Sequence, residues 1–226
     1  MALQRVLEPE IGESAEDANL YHAMDHTAVN QQFVDDLFSG GPVGPRVIDL
    51  GCGPGEIPIL ICRNADKLGL EVEVMGIDSD VDMLDIAKRE LEIEGVIDRV
   101  TLQHADIKDL ACFEDGLVHT AVSNTVAHHL AEPQLLLAAA KRLAGDAGRV
   151  FVRDLYRPAD EATVEALIRA HADGEPPSAQ QLYRQSLHAA LTLEEVRAIV
   201  DDLGMDAASV KMTSDRHWTL DWRGTA

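Results

Sequence analysis

The feature that most constrains the fold is a regular alternation of short apolar runs and amphipathic runs between residues 46 and 155. Short runs rich in β-branched residues predict strands, and apolar residues spaced three or four apart predict helices. Parallel strands need crossover connections, so this rhythm predicts an α/β fold with a doubly wound, mostly parallel sheet covered on both faces. The predicted strands are 46–50, 71–78, 99–105, 116–124 and 148–155, and the predicted helices are 56–69, 80–95 and 132–145.

The segments on either side of this alternation have a different character. Helices are predicted at 14–24 and 26–39, before a Gly- and Pro-rich breaker at 40–45. Beyond residue 155, two helices are predicted within 159–190, around a GEPP break, followed by a helix at 191–204. Two closely spaced runs, 208–215 and 217–222, predict an antiparallel hairpin that brings the sheet to seven strands.

Charge and cysteine content exclude several classes of function. The chain has 40 acidic and 19 basic residues, a formal net charge of −21, which argues against DNA, bulk RNA and anionic membranes as partners. Its three cysteines form no C-x-x-C pair, which argues against a disulfide framework or a structural zinc site.

The first ten residues lack the apolar core of a signal peptide, and no apolar run is long enough to span a bilayer, so a soluble, cytoplasmic protein is expected.

The stretch VIDLGCGPGEIPI, residues 47–59, predicts a ligand-binding loop between the first strand and its helix. Gly51, Gly53 and Gly55 leave the backbone amides accessible, at a sheet edge where doubly wound folds bind ligands. A dinucleotide loop would have a glycine where Glu56 stands, and a carboxylate there repels pyrophosphate. No Gly-Lys-Ser/Thr follows either. The loop therefore favours a ligand without phosphates that carries positive charge.

The run DLGCGPG, residues 49–55, resembles motif I of the class I S-adenosylmethionine-dependent methyltransferases. Asp78 ends the second strand 23 residues beyond Gly55, where the resemblance implies an acid that binds both ribose hydroxyls. The segment DMLDIA at 82–87 is similar to the family pattern in which Met83 packs on adenine. Asp106 and the amide of Ile107, after the third strand, are implied as adenine contacts. Taken singly, Asp78 and Asp106 could equally be turn-forming residues at strand ends.

The resemblance covers about 46–155 with the closing helix and hairpin, and it implies S-adenosylmethionine as cofactor and S-adenosylhomocysteine as product. A single methyltransferase domain over 1–226 is expected, with an N-terminal helical lid (1–45), a cofactor-binding core (46–155), a helical insertion (156–190) and a closing helix and hairpin (191–226). The expected cofactor residues are Asp49, Gly51, Cys52, Gly53, Gly55, Asp78, Ser79, Met83, Asp106, Ile107 and Asn124. Cys52 is interpreted as a small loop residue and not as a nucleophile.

The residues after the fourth strand bear on the acceptor. Ser123-Asn124-Thr125-Val126 lacks the Asn/Asp-Pro-Pro-aromatic pattern of many amino-methylating relatives, which favours a small-molecule acceptor that offers an O, N or S atom. VAHHL at 126–130 resembles small-molecule members, so Asn124 and His128 are predicted nearest the transferred methyl group. His128 and His129 are also the candidate general bases. Asp154 ends the fifth strand, but its partner set is incomplete for a metal-assisted relative, so no metal is predicted.

Acceptor contacts are predicted from both flanks. Tyr21, Asp25 and His26 belong to the expected lid, although Asp25 could instead cap the helix that begins at 26. Arg157 and Arg184 could clamp an acidic group of the acceptor, or could lie on a solvated helix face. A monomer or homodimer is expected. Two alternatives stay open: a non-catalytic binding module on the same fold, and an enzyme that uses the same cofactor for other chemistry.

Overall fold

The computed structural model describes residues 3–8 and 26–225, and within them the chain forms one seven-stranded sheet. The strand order is β3-β2-β1-β4-β5-β7-β6, with β1 to β5 parallel and β7 antiparallel to both of its neighbours. The strands are β1 Arg46–Leu50, β2 Glu73–Asp78, β3 Val100–His104, β4 Thr120–Asn124, β5 Arg149–Leu155, β6 Val210–Met212 and β7 His217–Arg223. The helices are α1 Thr27–Ser39, α2 Glu56–Leu68, α3 Val81–Ile93, α4 Gln134–Ala144, α5 Glu161–His171, α6 Pro177–Ala189 and α7 Leu193–Asp202. The predicted fold class is confirmed.

The helix boundaries follow from capping chemistry. Helix α2 ends at Gly69, whose φ of +66° is the left-handed conformation that glycine adopts at little cost. Helix α3 begins after Asp80, whose carboxylate accepts the amides of Asp82 and Met83. Helix α7 begins with a capping box between Thr192 and Glu195. Each boundary lies within two residues of the prediction.

Two apolar layers sandwich the sheet. Helices α4 and α7 pack with Trp218 on one face, and helices α1, α2 and α3 pack with Phe151 on the other. A smaller cluster, centred on Val164 and Leu187, joins α5 and α6 to the end of β5. Burial of both sheet faces explains why the strands read as continuous apolar runs in the sequence.

Two buried arginines of β5 anchor helix α1 to the sheet. Arg149 donates to the backbone oxygen of Leu37 at 2.7 Å and pairs with both carboxylate oxygens of Asp221. Arg153 pairs with Asp36 of α1 at 2.6 Å. The N-terminal helix is therefore held across β5 by charge-assisted hydrogen bonds as well as by apolar packing.

Some predicted boundaries were wrong. The strand expected from 116 begins at Thr120, because Gly116 turns the chain with a φ of +66°. The strand expected at 208–215 is limited to Val210–Met212, because Ala207–Ser209 is a short 3-10 helix that Asp206 caps. The helix predicted at 14–24 lies outside the described residues. Across the described part of the chain, no helix combines the length and the apolarity that a bilayer crossing requires.

Candidate functional site

The glycine loop lies between β1 and α2, beside the switch point of the sheet. From β1 the sheet continues to β2 and β3 on one side, and from the neighbouring β4 it continues to β5, β7 and β6 on the other. The amides of Gly51 and Cys52 both donate to the backbone oxygen of Ile77, at 2.8 and 2.9 Å, which continues the pairing of β1 with β2. All three loop glycines have positive φ, at +78°, +49° and +86° for Gly51, Gly53 and Gly55. The loop therefore has a conformation that side-chain-bearing residues rarely adopt.

The glycines at 51 and 53 serve different purposes. A Cβ at Gly51 would lie 2.5 Å from Cγ2 of Val126, so the absent side chain lets the loop after β4 pack against the glycine loop. A Cβ at Gly53 would meet no described atom within 4 Å. The bare backbone at Gly53 thus faces open space that a ligand can enter.

Asp49 is the most unusual group at this sheet edge. It is 1% exposed, and neither carboxylate oxygen has a hydrogen-bond partner among the residues that the structure describes. Burial, and secondly the charge of Asp78, raise the pKa of Asp49 to about 8. A buried carboxylate without a partner is costly, so this position fits a ligand that brings a donor or a positive charge.

Asp78 fixes the loop from the neighbouring strand. Its Oδ2 accepts the amide of Gly53 at 2.8 Å, and its Oδ1 accepts the amide of Asp80 at 2.9 Å. Burial raises the pKa of Asp78, although the amide hydrogen bonds act in the opposite direction. The sequence predicted this acid as a ligand contact but gave no sign that it also holds the loop.

Glu56, the residue that excluded a dinucleotide loop, joins α2 to α1. Asn30 donates to Oε2 of Glu56 at 2.5 Å, and Asn124 donates to Oδ1 of Asn30 at 2.9 Å. Glu56 opens helix α2, where the helix dipole favours a negative charge. These three side chains link the start of α2, helix α1 and the end of β4 across the site.

The turn after β4 is strained and presents His128. Thr125 has a φ of +57°, which is uncommon for a β-branched residue, and its hydroxyl donates to the backbone oxygen of Asn124 at 2.7 Å. His128 is 3% exposed, and its Nδ1 lies 2.6 Å from Oδ1 of Asp154. Burial alone would lower the pKa of His128, but the carboxylates of Asp154 and Glu8 outweigh it and leave that pKa raised.

Comparison with known proteins shows the family to which the chain belongs. The model of a family described as "Methyltransferase domain" matches residues 43–203, more than half of the chain. The chain belongs to the methyltransferase-domain family. The expected resemblance to class I S-adenosylmethionine-dependent methyltransferases is confirmed, and S-adenosylmethionine is the cofactor of such a domain.

Structural and sequence relatives agree with this assignment. A Methanococcus maripaludis protein assigned as an S-adenosyl-L-methionine-dependent methyltransferase has a TM-score of 0.71 at 15% identity, covering 98% of each chain. The plantazolicin methyltransferase BpumL, solved in complex with a triazolic desmethylPZN analogue and S-adenosylhomocysteine, has a TM-score of 0.67 at 14% identity, covering 93% of this chain and 91% of that one. The ubiquinone biosynthesis O-methyltransferase of Acinetobacter baylyi is 25% identical over 122 residues, 54% of this chain and 48% of that protein. The chain spans less than half the length of the curated relatives that it matches.

The remaining predicted cofactor residues of this methyltransferase domain lie in the segments that follow β1, β2 and β3. Asp106 is exposed and caps a short turn, accepting the amide of Lys108 at 2.8 Å, while Ile107 is half-buried. Met83 is half-buried in the first turn of α3, and Ser79 is exposed. Cys52 is buried, and burial raises the pKa of its thiol, in keeping with a loop residue that is not a nucleophile. Their cofactor contacts stay predictions.

The predicted acceptor residues are dispersed. Tyr21 and Asp25 lie outside the described residues, and His26 immediately precedes α1, which begins at Thr27. Arg157 is buried, where it donates to the backbone oxygen of Ala190 at 2.9 Å and pairs with Glu195 at 2.5 Å. Arg184 pairs with Glu165 at 2.5 Å. These contacts hold the insertion together, and acceptor binding by either arginine stays a prediction.

Sequence reasoning missed the segment at residues 3–8. Its backbone amides at Leu3 and Val6 donate to the oxygens of Pro158 and His188, which places it over the insertion. Arg5 donates to the backbone oxygens of His128 and Leu130, at 3.2 and 2.9 Å. No local pattern in the sequence marks such long-range contacts.

Proposed function

We propose that this methyltransferase transfers the methyl group of S-adenosylmethionine to an O, N or S atom of a small-molecule acceptor. The observation that carries the proposal is Asp49, a buried carboxylate without a described partner at the switch point of the sheet. The methionyl end of the cofactor carries an ammonium group, which would satisfy this carboxylate with charge-assisted hydrogen bonds.

The other residues of this sheet edge fit the rest of the cofactor. The open backbone at Gly53 suits the methionyl chain, and Asp78 suits the ribose hydroxyls because an ionised carboxylate only accepts hydrogen bonds. Asp106, the amide of Ile107 and Met83 are proposed around the adenine. When bound, S-adenosylmethionine supplies an electrophilic methyl group on a sulfonium. The protein's own task is then to align the acceptor and exclude water.

Asn124 and His128 are proposed on the acceptor side. Asn124 is fixed through its amide nitrogen by Asn30, and its Oδ1 has no hydrogen-bond partner among the described residues. That oxygen can therefore receive a donor from an acceptor molecule. A small acceptor is supported by the net charge of −21, which opposes polyanionic substrates, and by relatives named for ubiquinone biosynthesis and plantazolicin methylation.

The test measures binding and transfer separately. Isothermal titration of the full chain with S-adenosylhomocysteine should give one site of micromolar strength or tighter. Incubation with methyl-labelled S-adenosylmethionine and a panel of hydroxyl, amine and thiol compounds should give a labelled product by mass spectrometry. Absence of S-adenosylhomocysteine binding would contradict the proposal, and binding without transfer to any compound would favour a non-catalytic binding module instead.

A further inference from the structure

A cluster of one glutamate and two histidines lies where residues 3–8 cross the loop after β4. The three candidate ligand atoms, from Glu8, His128 and His129, all lie within 4.8 Å of one another. Oε1 of Glu8 is 3.9 Å from Nε2 of His128, and Oε2 of Glu8 contacts Nδ1 of His129. Two ring nitrogens and one carboxylate thus converge on a single point. The proposed transfer of a methyl group places His128 on the acceptor side, and it assigns no role to Glu8 or to the contacts within this cluster.

Hydrogen bonds with polar residues outside the cluster orient His128 and Glu8. The Nδ1 of His128 faces Oδ1 of Asp154 at 2.6 Å, and Asp154 is 1% exposed, so the ring is held with Nε2 turned towards the cluster. Ser186 of α6 donates to Oε1 of Glu8 at 2.5 Å. A histidine whose second nitrogen is held by a carboxylate is the usual arrangement behind a protein metal ligand.

The local charges favour a cation. Glu8 and Asp154 bring two carboxylates into a buried region, and the side chain of Glu8 is only 10% exposed. Arg5 is a nearby positive charge, and its guanidinium is turned to the backbone oxygens of Ala189, His128 and Leu130. The carboxylates outnumber this cation, so a divalent ion would enter negatively charged surroundings.

We propose that Glu8, His128 and His129 form a binding site for a divalent transition metal ion, of which Zn²⁺ best matches two imidazoles and one carboxylate. Three protein ligands leave a fourth tetrahedral position open to water or another small ligand. Ligand atoms on a tetrahedral zinc are about 3.3 Å apart, so the cluster has to contract on binding, and the proton between Glu8 and His129 has to leave. The bound ion ties residues 3–8 to the loop after β4.

The experiment uses the tag-free full chain in a Cys112→Ser background, because an exposed thiol such as that of Cys112 can itself bind zinc. After chelator treatment and dialysis, Co²⁺ is titrated while its visible absorption is recorded, and Zn²⁺ is then added to displace it. One equivalent of Co²⁺ with the intense bands of four-coordinate geometry is expected. Both ions should also raise the thermal unfolding temperature.

Substitutions of two proposed ligands, and of Asp154 behind His128, test whether the metal ion binds at this cluster. His129→Ala and Glu8→Gln should each weaken Co²⁺ affinity at least tenfold, and Asp154→Asn should weaken it about 10- to 100-fold by releasing the ring of His128. His129 carries the test because its side chain is half-exposed, whereas His128 is buried. Thermal unfolding without metal confirms that each variant is folded.

His171→Ala is the matched control, because His171 also pairs with a carboxylate, that of Asp215 at 2.7 Å, and neither residue belongs to the cluster. It should leave Co²⁺ affinity unchanged. The proposal is overturned if the parent protein binds no Co²⁺ at micromolar concentrations, or if folded His129→Ala and Glu8→Gln variants bind it as tightly as the parent. Metal binding is measured without cofactor, so this result is independent of the proposed methyl transfer.

Discussion

Asp78, at the end of β2, accepts the backbone amide of Gly53 through Oδ2 at 2.8 Å and thereby fixes the glycine loop that follows β1. The loop and the acid are one unit, although 25 residues separate them in the sequence. Asp78 therefore shapes the loop in this structure, and under the proposed function it would also accept hydrogen bonds from the ribose hydroxyls of the cofactor.

Replacing Asp78 tests both tasks. Asp78→Ala should weaken S-adenosylhomocysteine binding by about 1–3 kcal/mol, because charge-assisted hydrogen bonds to the ribose are lost and the amide of Gly53 loses its acceptor. Isothermal titration measures this change. Asp66→Ala is the control, since Asp66 pairs with Arg99 near the far end of α2 and should leave the affinity unchanged. Unchanged affinity in Asp78→Ala would mean that the ribose lies elsewhere.

We expect the buried carboxylate of Asp49 to lower the free energy of unfolding, although the proposed function uses it to bind the cofactor. Its pKa rises from 3.8 to about 8 on folding, so the fold loses stability as the pH rises from 3.8 towards 8, and the full penalty, about 6 kcal/mol, applies above 8. Asp49→Asn removes this charge but buries an amide, so a net gain of about 1–3 kcal/mol in unfolding free energy is expected at pH 7. Urea unfolding measures the gain. A variant less stable than the parent would show that the carboxylate is already stabilised in the free protein.

The same carboxylate should make cofactor binding depend on pH. In the free protein, Asp49 holds its proton below about pH 8, and it must lose that proton to form a charge-assisted pair with an ammonium group. The association constant for S-adenosylhomocysteine should therefore rise about tenfold per unit between pH 6 and 7.5 and level off above pH 8. Titrations in buffers of different ionisation enthalpy should show a proton released. Asp49→Asn should bind more weakly and with a flat profile, and an equally steep profile in that variant would place the titrating group elsewhere.

Much of the fold and the position of the glycine loop at the sheet edge could be predicted because the signals are local. Each signal lies within a few dozen consecutive residues. These signals are the periodicity of strands and helices, Gly69 at a helix end, and the spacing from Gly55 to Asp78. The loop motif also predicted a ligand without phosphates, because Glu56 stands where a phosphate-binding loop needs glycine. The structure adds that Glu56 is held by Asn30.

The contacts that could not be predicted join residues far apart in the chain. Glu8 meets His129 across 121 positions, and Arg153 meets Asp36 across 117. No periodicity encodes such pairs, because they depend on how segments pack after the sheet has formed. The same reason explains Arg157, which the sequence presents as a free cation and the fold buries against Glu195.

The glycines at 51 and 53 should respond differently to alanine. Both have positive φ, which costs an alanine about 1–2 kcal/mol, but only a Cβ at Gly51 strikes Val126. Gly51→Ala should lose about 2–5 kcal/mol of unfolding free energy, and Gly53→Ala about 1–2 kcal/mol. Urea unfolding of both variants measures the difference. Adding Val126→Ala should restore part of the stability of Gly51→Ala, and equal losses in the two single variants would refute the steric explanation.

Gly53→Ala should weaken cofactor binding even though it costs less stability than Gly51→Ala. The Cβ of Gly53→Ala enters the open space beside the loop, so this variant, although folded, should bind S-adenosylhomocysteine more weakly than the parent. Isothermal titration of the folded protein separates the two effects. If Gly53→Ala binds as tightly as the parent, the open face of Gly53 is not part of the cofactor site.

His217 should make the protein lose stability as the medium is acidified. Burial, with secondary contributions from Arg216 and Arg153, lowers its pKa to about 4 from an ordinary 6.5, although Asp154 and Asp215 act in the opposite direction. Between pH 6.5 and 4 the unfolded chain takes up a proton that the folded chain does not, so stability falls as the pH falls, by about 3 kcal/mol in all. Above pH 6.5 the residue is neutral in both states and contributes no pH dependence.

His217→Gln isolates this contribution, because glutamine can still meet the hydroxyl of Ser214, which lies 2.9 Å from Nδ1 of His217. Urea unfolding at pH 7.0 and 4.5 gives the stability change for each protein, and losses from the acidic residues common to both cancel in the difference. The parent should lose about 2 kcal/mol more than the variant over this interval. Parallel losses in the two proteins would mean that His217 is protonated as readily in the fold as in the unfolded chain, and that the arginines beside it do not oppose its charge.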